Sequence, residues 1–251
     1  MANVLRSITQ VGTSEPFELQ VARGQIPGHS VRNVFGYNAA IGTTFVTPWE
    51  LANTQALPIP GSALTFSLVS TSLSDTSVSI LVSGVNSSYE PVQEVVALNG
   101  TTPVNTVNTY RFINDLVTTS GNAVGNVTAS NGGTVYAQIT AGAGRNQCSA
   151  FMVPAGYSFY LTRIDSFSGT ATGASKYVVF RNKNTFSDGR VFRVAETTFA
   201  SRMDIYRDSP FKVPEKTLLE LQVKVNSTTA EIGIFSEGIL VKEEGPSFGI
   251  Y

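Results

Sequence analysis

From residue 62 onward, apolar and polar residues alternate along most of the chain. In the segment "SVSILVSGV", Val78, Ile80 and Val82 share one face while serines occupy the other. In "TLLELQVKVNS", the leucines and valines at 219, 221, 223 and 225 alternate with polar residues in the same way. A two-residue period is typical of β-strands with one buried face. The pattern therefore predicts an all-β protein, and no stretch shows a convincing amphipathic helix.

Turn residues separate these alternating segments. Asn99-Gly100 fits a tight turn that needs positive φ, Asn131-Gly132-Gly133 marks the tip of a hairpin, and Pro154-Ala155-Gly156 separates two further strands. Short strands with turns every 8–12 residues or so indicate a β-sandwich or jelly roll. The glycine-rich stretch "TAGAGRNQ" at 140–147 is the candidate boundary between two domains. One continuous sandwich that crosses this stretch is the alternative.

Residues 1–60 lack a clean period of either 2 or 3.6 residues. Prolines at 27, 48, 58 and 60 interrupt the stretch from 23 to 61, yet this stretch carries four aromatic residues that favour burial: Phe35, Tyr37, Phe45 and Trp49. We expect an extended N-terminal arm that lies on the following domain or on a neighbouring subunit, with these aromatics as interface anchors. The predicted organisation is thus an arm at 1–60, a first β-sandwich or jelly-roll-like domain at 61–144 and a second at 145–251, which ends in a short tail, "GPSFGIY".

Composition narrows the possible functions. The chain has 17 Lys and Arg against 18 Asp and Glu, a net charge of −1, and charged residues make up only 14% of it. The densest basic stretch holds Arg181, Lys183, Arg190 and Arg193 around a predicted hairpin. We interpret these as solvated loop charges, since a nucleic-acid binder needs a larger basic footprint. No segment is apolar for long enough to cross a membrane, and neither nucleic acid nor a membrane is an expected partner.

Candidate catalytic residues are few. The single histidine, His29, lies in the irregular arm, and the single cysteine, Cys148, alternates with apolar residues as a buried side chain would. A triad, a zinc site and a phosphate-binding loop each need residues that the chain lacks, so we expect no cofactor and no metal. A glycosidase needs two carboxylates, and the candidates are Glu90, Glu94, Asp165, Glu196 and Asp204. Tyr89, Tyr157 and Tyr160 could stack on sugars but fit strand packing better.

Three stretches together carry a family resemblance: "ARGQIPGHSVRNVFGYNAAIGTTFVTPWE", "VNSSYEPVQEVVALNGTTPVNTVNTYRFIN" and "VPAGYSFYLTRIDSFSG". They resemble a family of virion structural proteins of tailed phages of marine bacteria, notably cyanophages. The most specific part is the pattern E-x-V-x-L-N-G-T-T-x-V from Glu94 to Val104. The resemblance implies a role in assembly or decoration of the particle, with no catalytic residues to assign.

These observations predict a non-catalytic virion component, made in the host bacterial cytoplasm and placed in the head decoration, neck or tail. Its expected partners are copies of itself and other virion proteins. A receptor-binding or glycan-binding fibre module, with a host surface glycan as partner, is the alternative. A polysaccharide depolymerase that uses paired carboxylates is a third class.

Overall fold

The computed structural model describes residues 15–169 and 177–243. Within these ranges the chain forms fifteen strands and one short helix, so the expected all-β fold is confirmed. The tail "GPSFGIY" lies outside the described residues. In chain order the elements are α1 (Phe17–Ala22), β1 (His29–Ile41), β2 (Ser67–Ser70), β3 (Ser79–Val85), β4 (Pro91–Ala97), β5 (Val104–Asn105), β6 (Phe112–Ser120), β7 (Val127–Asn131), β8 (Thr134–Ile139), β9 (Ala150–Met152), β10 (Tyr157–Ser168), β11 (Val178–Phe186), β12 (Val191–Phe199), β13 (Arg202–Val213), β14 (Thr217–Val225) and β15 (Ala230–Lys242).

Eight of these strands form a jelly roll. β1 pairs with β15, β9 with β14, β10 with β13 and β11 with β12, all antiparallel, so the pairs are nested along the sequence. Successive pairs alternate between two four-stranded sheets, with the orders β1-β15-β10-β13 and β12-β11-β14-β9. Nested antiparallel strand pairs that alternate between two packed four-stranded sheets form an eight-stranded jelly roll. We call this part the jelly-roll domain.

The core of the jelly-roll domain lies between its two sheets. Phe159 and Leu161 of β10 face inward from the first sheet, and Phe180 of β11 and Leu221 of β14 face inward from the second. All four side chains are fully buried. The alternating residues read from the sequence at 219–225 therefore point into this core, as the two-residue period predicted.

The other seven strands form a second β-sandwich that is inserted between β1 and β9. Its sheets have the orders β5-β2-β7-β8 and β4-β3-β6. Leu68, Ile80, Leu116 and Ile139 are fully buried between these sheets. We call this part the inserted domain. The stretch at 140–147 leads from its last strand back to the jelly-roll domain.

The N-terminal segment differs from the predicted arm. Residues 29–41 form β1, which pairs with β15 along almost its whole length and completes the first sheet of the jelly roll. The sequence of β1 lacks a two-residue apolar period because two of its inward-facing positions hold Gly36 and Asn38 instead of apolar residues. Residues 42–60 form no regular strand and lie on the chain's own domain, where Val46 bridges Val223. The jelly-roll domain thus draws on both sides of the insertion.

The loop after β1 explains these two inward-facing residues. A Cβ atom at Gly36 would lie 2.4 Å from both the Pro48 carbonyl oxygen and the Ser149 backbone nitrogen, so only glycine leaves room for this crossing. The Asn38 amide donates to the backbone oxygens of Trp49 and Glu50, at 3.0 and 3.1 Å. Position 36 therefore admits the loop, and position 38 holds it by hydrogen bonds.

The two domains meet at a small apolar seam. Val85 and Phe112 of the inserted domain pack with Met152 and Leu218 of the jelly-roll domain. The side chain of Asn114 on β6 accepts from the Met152 backbone nitrogen and donates to its carbonyl oxygen, at 2.8 and 3.0 Å. The domains are thus joined by side chains as well as by the two connecting segments.

Candidate interaction surfaces

Two of the predicted anchors lie on β1 with half-buried side chains. Phe35 stands directly opposite Phe235 of β15 on the outer face of the first jelly-roll sheet. The Tyr37 hydroxyl donates to the Glu231 carboxylate at 2.8 Å, and this hydrogen bond raises the pKa of Tyr37. Both rings keep part of their surface exposed, so their use in a contact with a neighbouring subunit stays a prediction.

Phe45 lies on the outer face of the second jelly-roll sheet. The Arg181 guanidinium is 3.9 Å from the centre of its ring, and the Lys224 ammonium is 4.7 Å from it. Cations over an aromatic face are attracted by the negative charge of its π-system. This ring therefore holds two positive charges close together on the sheet.

Trp49 requires a correction. Its side chain is fully buried in the jelly-roll core, and its ring nitrogen donates to the Gln55 carbonyl oxygen at 3.0 Å. No surface of this ring is left for a neighbouring subunit. A tryptophan needs burial, and the sequence does not distinguish burial within a subunit from burial between subunits.

Two of the candidate carboxylates support loops of the inserted domain. Glu94 interrupts the apolar face of β4, and its carboxylate accepts from the backbone nitrogens of Val107 and Asn108, both at 2.9 Å, and from the Tyr110 hydroxyl at 3.0 Å. Glu90 accepts from the Asn86 side chain at 3.0 Å. These contacts give both carboxylates a structural role in their own turns.

Two other candidate carboxylates are brought together. Asp165 of β10 lies directly opposite Asp204 of β13, both facing outward. The Arg163 guanidinium lies 2.9 Å from the carboxylate of Asp165 and 3.3 Å from that of Asp204. Burial, and then the adjoining Asp204 carboxyl group, raise the pKa of Asp165. Like charges directly opposite each other in a sheet are unfavourable, and one arginine shared between two acids relieves this only in part.

More acidic residues lie on the same outer face. Glu231 and Glu237 of β15 also face outward. Glu231 lies beside Tyr37, and Glu237 lies directly opposite Arg163. The face also carries Arg202, opposite Phe167. We call this surface the acidic face because its acidic residues outnumber its basic ones; it comprises Asp165, Asp204, Glu231 and Glu237 together with Arg163 and Arg202.

The second jelly-roll sheet has the opposite character on its outer face. Lys183 of β11 lies directly opposite Arg193 of β12, and Arg181 lies two residues along β11 on the same face. Burial, and then the charge of Arg193, lower the pKa of Arg181. We call this surface the basic face; it comprises Arg181, Lys183, Arg193 and Lys224 together with Glu196 and Glu220.

The two carboxylates of the basic face, Glu220 and Glu196, lie in different surroundings. Glu220 is buried, and its carboxylate accepts from Lys183 at 2.6 Å and from the Thr47 hydroxyl at 2.9 Å. Glu196, the last of the carboxylates considered for catalysis, lies opposite Arg181. The strand pairing therefore gathers Arg181, Lys183 and Arg193, interpreted above as loop charges, onto one sheet surface. Arg190 lies in the hairpin turn, where it pairs with Asp188 at 2.6 Å. Arg181 and Lys183 are two residues apart, a spacing that places both on one face of a strand.

A cleft of about 480 Å³ separates the two domains. Its walls include Val31, Val92, Phe151 and Leu240, and Arg32 enters it from β1 to form an ion pair with Asp115 of β6. Since Asp115 also pairs with Arg145 at 3.1 Å, its carboxylate is satisfied within the chain. The cleft therefore has a mixed lining, and the ion pair between Arg32 and Asp115 links the two domains across it.

The remaining candidates have structural surroundings. Burial raises the pKa of the Cys148 thiol, which keeps it neutral and unreactive. His29 lies at the start of β1, in hydrogen-bond contact with the Pro27 carbonyl oxygen and edge-on to Phe17. Tyr89 accepts a hydrogen bond from Arg111 at 2.8 Å, and the Tyr160 ring lies beneath Lys212. Tyr157 is half-buried and packs against the jelly-roll core.

The part of the chain at residues 15–169 and 177–243 holds neither a metal-binding cluster nor a membrane-spanning helix. No three His, Cys, Asp or Glu side chains there are grouped so that they could hold a metal ion. The one helix of this part, six residues long, is too short to cross a membrane.

Comparison with known proteins gives no family for the chain. No family model matches it, and no curated protein sequence matches it. It is similar to solved structures of infectious bursal disease virus. One, of the Gt strain, is 11% identical over 93% of this chain and 79% of the other, with a TM-score of 0.22. Another, a VP2 subviral particle, is 10% identical over 90% and 82%, with a TM-score of 0.20.

Proposed function

We propose that the protein is a non-catalytic structural component of a virion, of the tailed-phage kind that the sequence resembles, and that it acts through contacts with copies of itself and with other virion proteins. The observation that carries the proposal is the eight-stranded jelly roll with a second sandwich inserted between its first two strands. Viral capsid proteins are one large class of jelly rolls. The head decoration, the neck and the tail are all compatible with this architecture.

The polar groups support a structural role. Glu94 and Asp115 each hold several partners within the chain, so their acceptor capacity is used to fix loops and domains. The jelly roll by itself does not decide the function, because lectins and cupins share it. A cupin needs clustered metal ligands, and the chain has a single histidine.

The first test is co-purification. Particles from a host that produces the chain are banded on a density gradient, and antibodies raised against the purified protein are applied for electron microscopy. We expect the chain to travel with intact particles in many copies and the antibodies to bind at regular positions. A chain that stays in the soluble fraction of the lysate would contradict a virion role.

A second candidate, a glycan-binding module, is favoured by exposed aromatic rings. Tyr206 and Phe167 are 73% and 44% exposed, on the sheet that also carries Asp165 and Asp204. Aromatic faces can stack on sugars. Binding to a glycan array that is lost in Tyr206→Ala would favour this module, and release of sugars from host polysaccharide that is lost in Asp165→Asn would show an enzyme instead.

A further inference from the structure

The two outer faces of the jelly-roll domain carry opposite charge. Four carboxylates and two guanidinium groups on the acidic face leave two negative charges. Four basic groups and two carboxylates on the basic face leave two positive charges. Lys212, beside Tyr160, is not counted because it pairs with Glu243 at 3.1 Å. The separation is notable in a chain whose total net charge is only −1.

Each face also contains a pair of like charges whose repulsion is only partly offset within the chain, by Arg163 on the acidic face and by Glu220 on the basic face. Asp165 and Asp204 are directly opposite each other on the acidic face, as are Lys183 and Arg193 on the basic face. Like charges in this cross-strand position destabilise a sheet. A charge of the other sign, brought by a partner, would turn each pair from a cost into an attraction.

We propose that the acidic face of one copy docks on the basic face of a second copy. The inference rests on the proposed function, since it names the self-contact of a virion component. The two faces belong to different sheets and point away from each other, so the contact is head-to-tail and leaves a free face at each end. Contacts of this kind build rings or longer rows of subunits.

The occupant is a second copy because the same chain supplies both members of the charge pair. Arg193 and Asp204 each lie on an edge strand of their sheet, β12 and β13, with exposed side chains. Charge complementarity of this sort steers association and fixes its register. Phe45 on one face and Phe35 with Phe235 on the other add apolar surface beside the charges.

The test is charge reversal on each face, with self-association followed by sedimentation velocity at low and high salt. Arg193→Glu and Asp204→Lys should each weaken self-association by about 10-fold or more, because like charges then meet across the contact. An equimolar mixture of the two variants should regain association, because the introduced carboxylate meets the introduced ammonium group. The wild-type association should weaken as salt is added.

Two controls separate this contact from folding and from net charge. Arg193→Glu removes a repulsion from Lys183, so its melting temperature should not fall. Arg23→Glu, just after α1, and Glu18→Lys, on α1, make the same charge changes on exposed positions outside both faces, and should associate like the wild type.

Several outcomes would overturn the inference. They are a wild-type protein that stays monomeric at its highest soluble concentration, an Arg193→Glu variant that associates normally, and a mixture that fails to regain association. The proposed function is judged separately by co-purification. If Arg193→Glu entered particles as efficiently as the wild type, the contact would be refuted and the virion role would stand. If the wild-type chain were absent from particles, but mixing the two variants restored self-association, the contact would stand and the virion role would be refuted.

Discussion

The carboxyl group of Glu50 lies at the junction where the chain leaves the jelly-roll domain. One of its oxygens accepts from the Gln147 backbone nitrogen, on the segment that returns from the inserted domain. The other oxygen is buried and has no hydrogen-bond partner within the described residues. Burial raises the pKa of Glu50 to about 8, so the folded protein favours the protonated acid at neutral pH.

This residue predicts a pH dependence of stability. An acid whose pKa is raised by folding supports the fold fully below its unfolded pKa, 4.5, and this support is lost as pH rises to about 8. Glu50→Gln keeps the shape without the charge. We expect the variant to gain stability relative to the wild type by roughly 2–4 kcal/mol between these limits. Urea unfolding of both proteins from pH 4 to 9 measures this, and parallel pH profiles would contradict it.

Gly36 illustrates a second effect at the scale of one residue. Because a methyl group there would meet the Pro48 carbonyl and the Ser149 nitrogen, the loop over β1 must move or β1 must shift. We expect Gly36→Ala to destabilise the protein by about 3 kcal/mol. Gly42→Ala is the matched control, since a methyl group at position 42 meets nothing within 4 Å. Equal melting temperatures for the two variants would refute this account of the crossing.

At the scale of elements, the strands with apolar inward faces were predictable. β14 places Leu219, Leu221 and Val223 in the core at a spacing that the sequence shows directly. The hairpin of β7 and β8 turns at Asn131, Gly132 and Gly133 as expected, with Gly132 and Gly133 at positive φ. Local pattern suffices where each inward position needs an apolar side chain.

β1 shows why the rest was not predictable. Two of its inward-facing positions, Gly36 and Asn38, contact the loop that follows β1 instead of filling the core. Its hydrogen-bonding partner β15 is separated from it by almost the whole chain. No local pattern encodes a pairing over such a distance. The same reason hid the two charged faces: Asp165 and Asp204, or Lys183 and Arg193, become neighbours only when the strand register is known.

For the whole molecule, the nested pairing implies that the inserted domain is an independent addition to the jelly roll. All eight strands of the roll lie outside residues 61–144. The two segments that lead to and from the insertion are neighbours, since the Ser149 nitrogen donates to the Pro48 oxygen at 2.9 Å. A chain that leaves and re-enters a fold at adjacent points can lose the insertion without breaking that fold.

We therefore predict that replacing residues 61–144 by a flexible linker of about ten residues leaves a folded jelly roll. The melting temperature should fall, because Met152 and Leu218 lose their cover from Phe112 and Val85. Deleting residues 1–60 is the matched comparison: it removes β1 and Trp49, so the jelly roll should lose its cooperative melting transition. Circular dichroism melts and limited proteolysis of both proteins distinguish these results. A folded jelly roll without residues 1–60 would show that β1 is dispensable, and the nested pairing would then not be what holds the domain together.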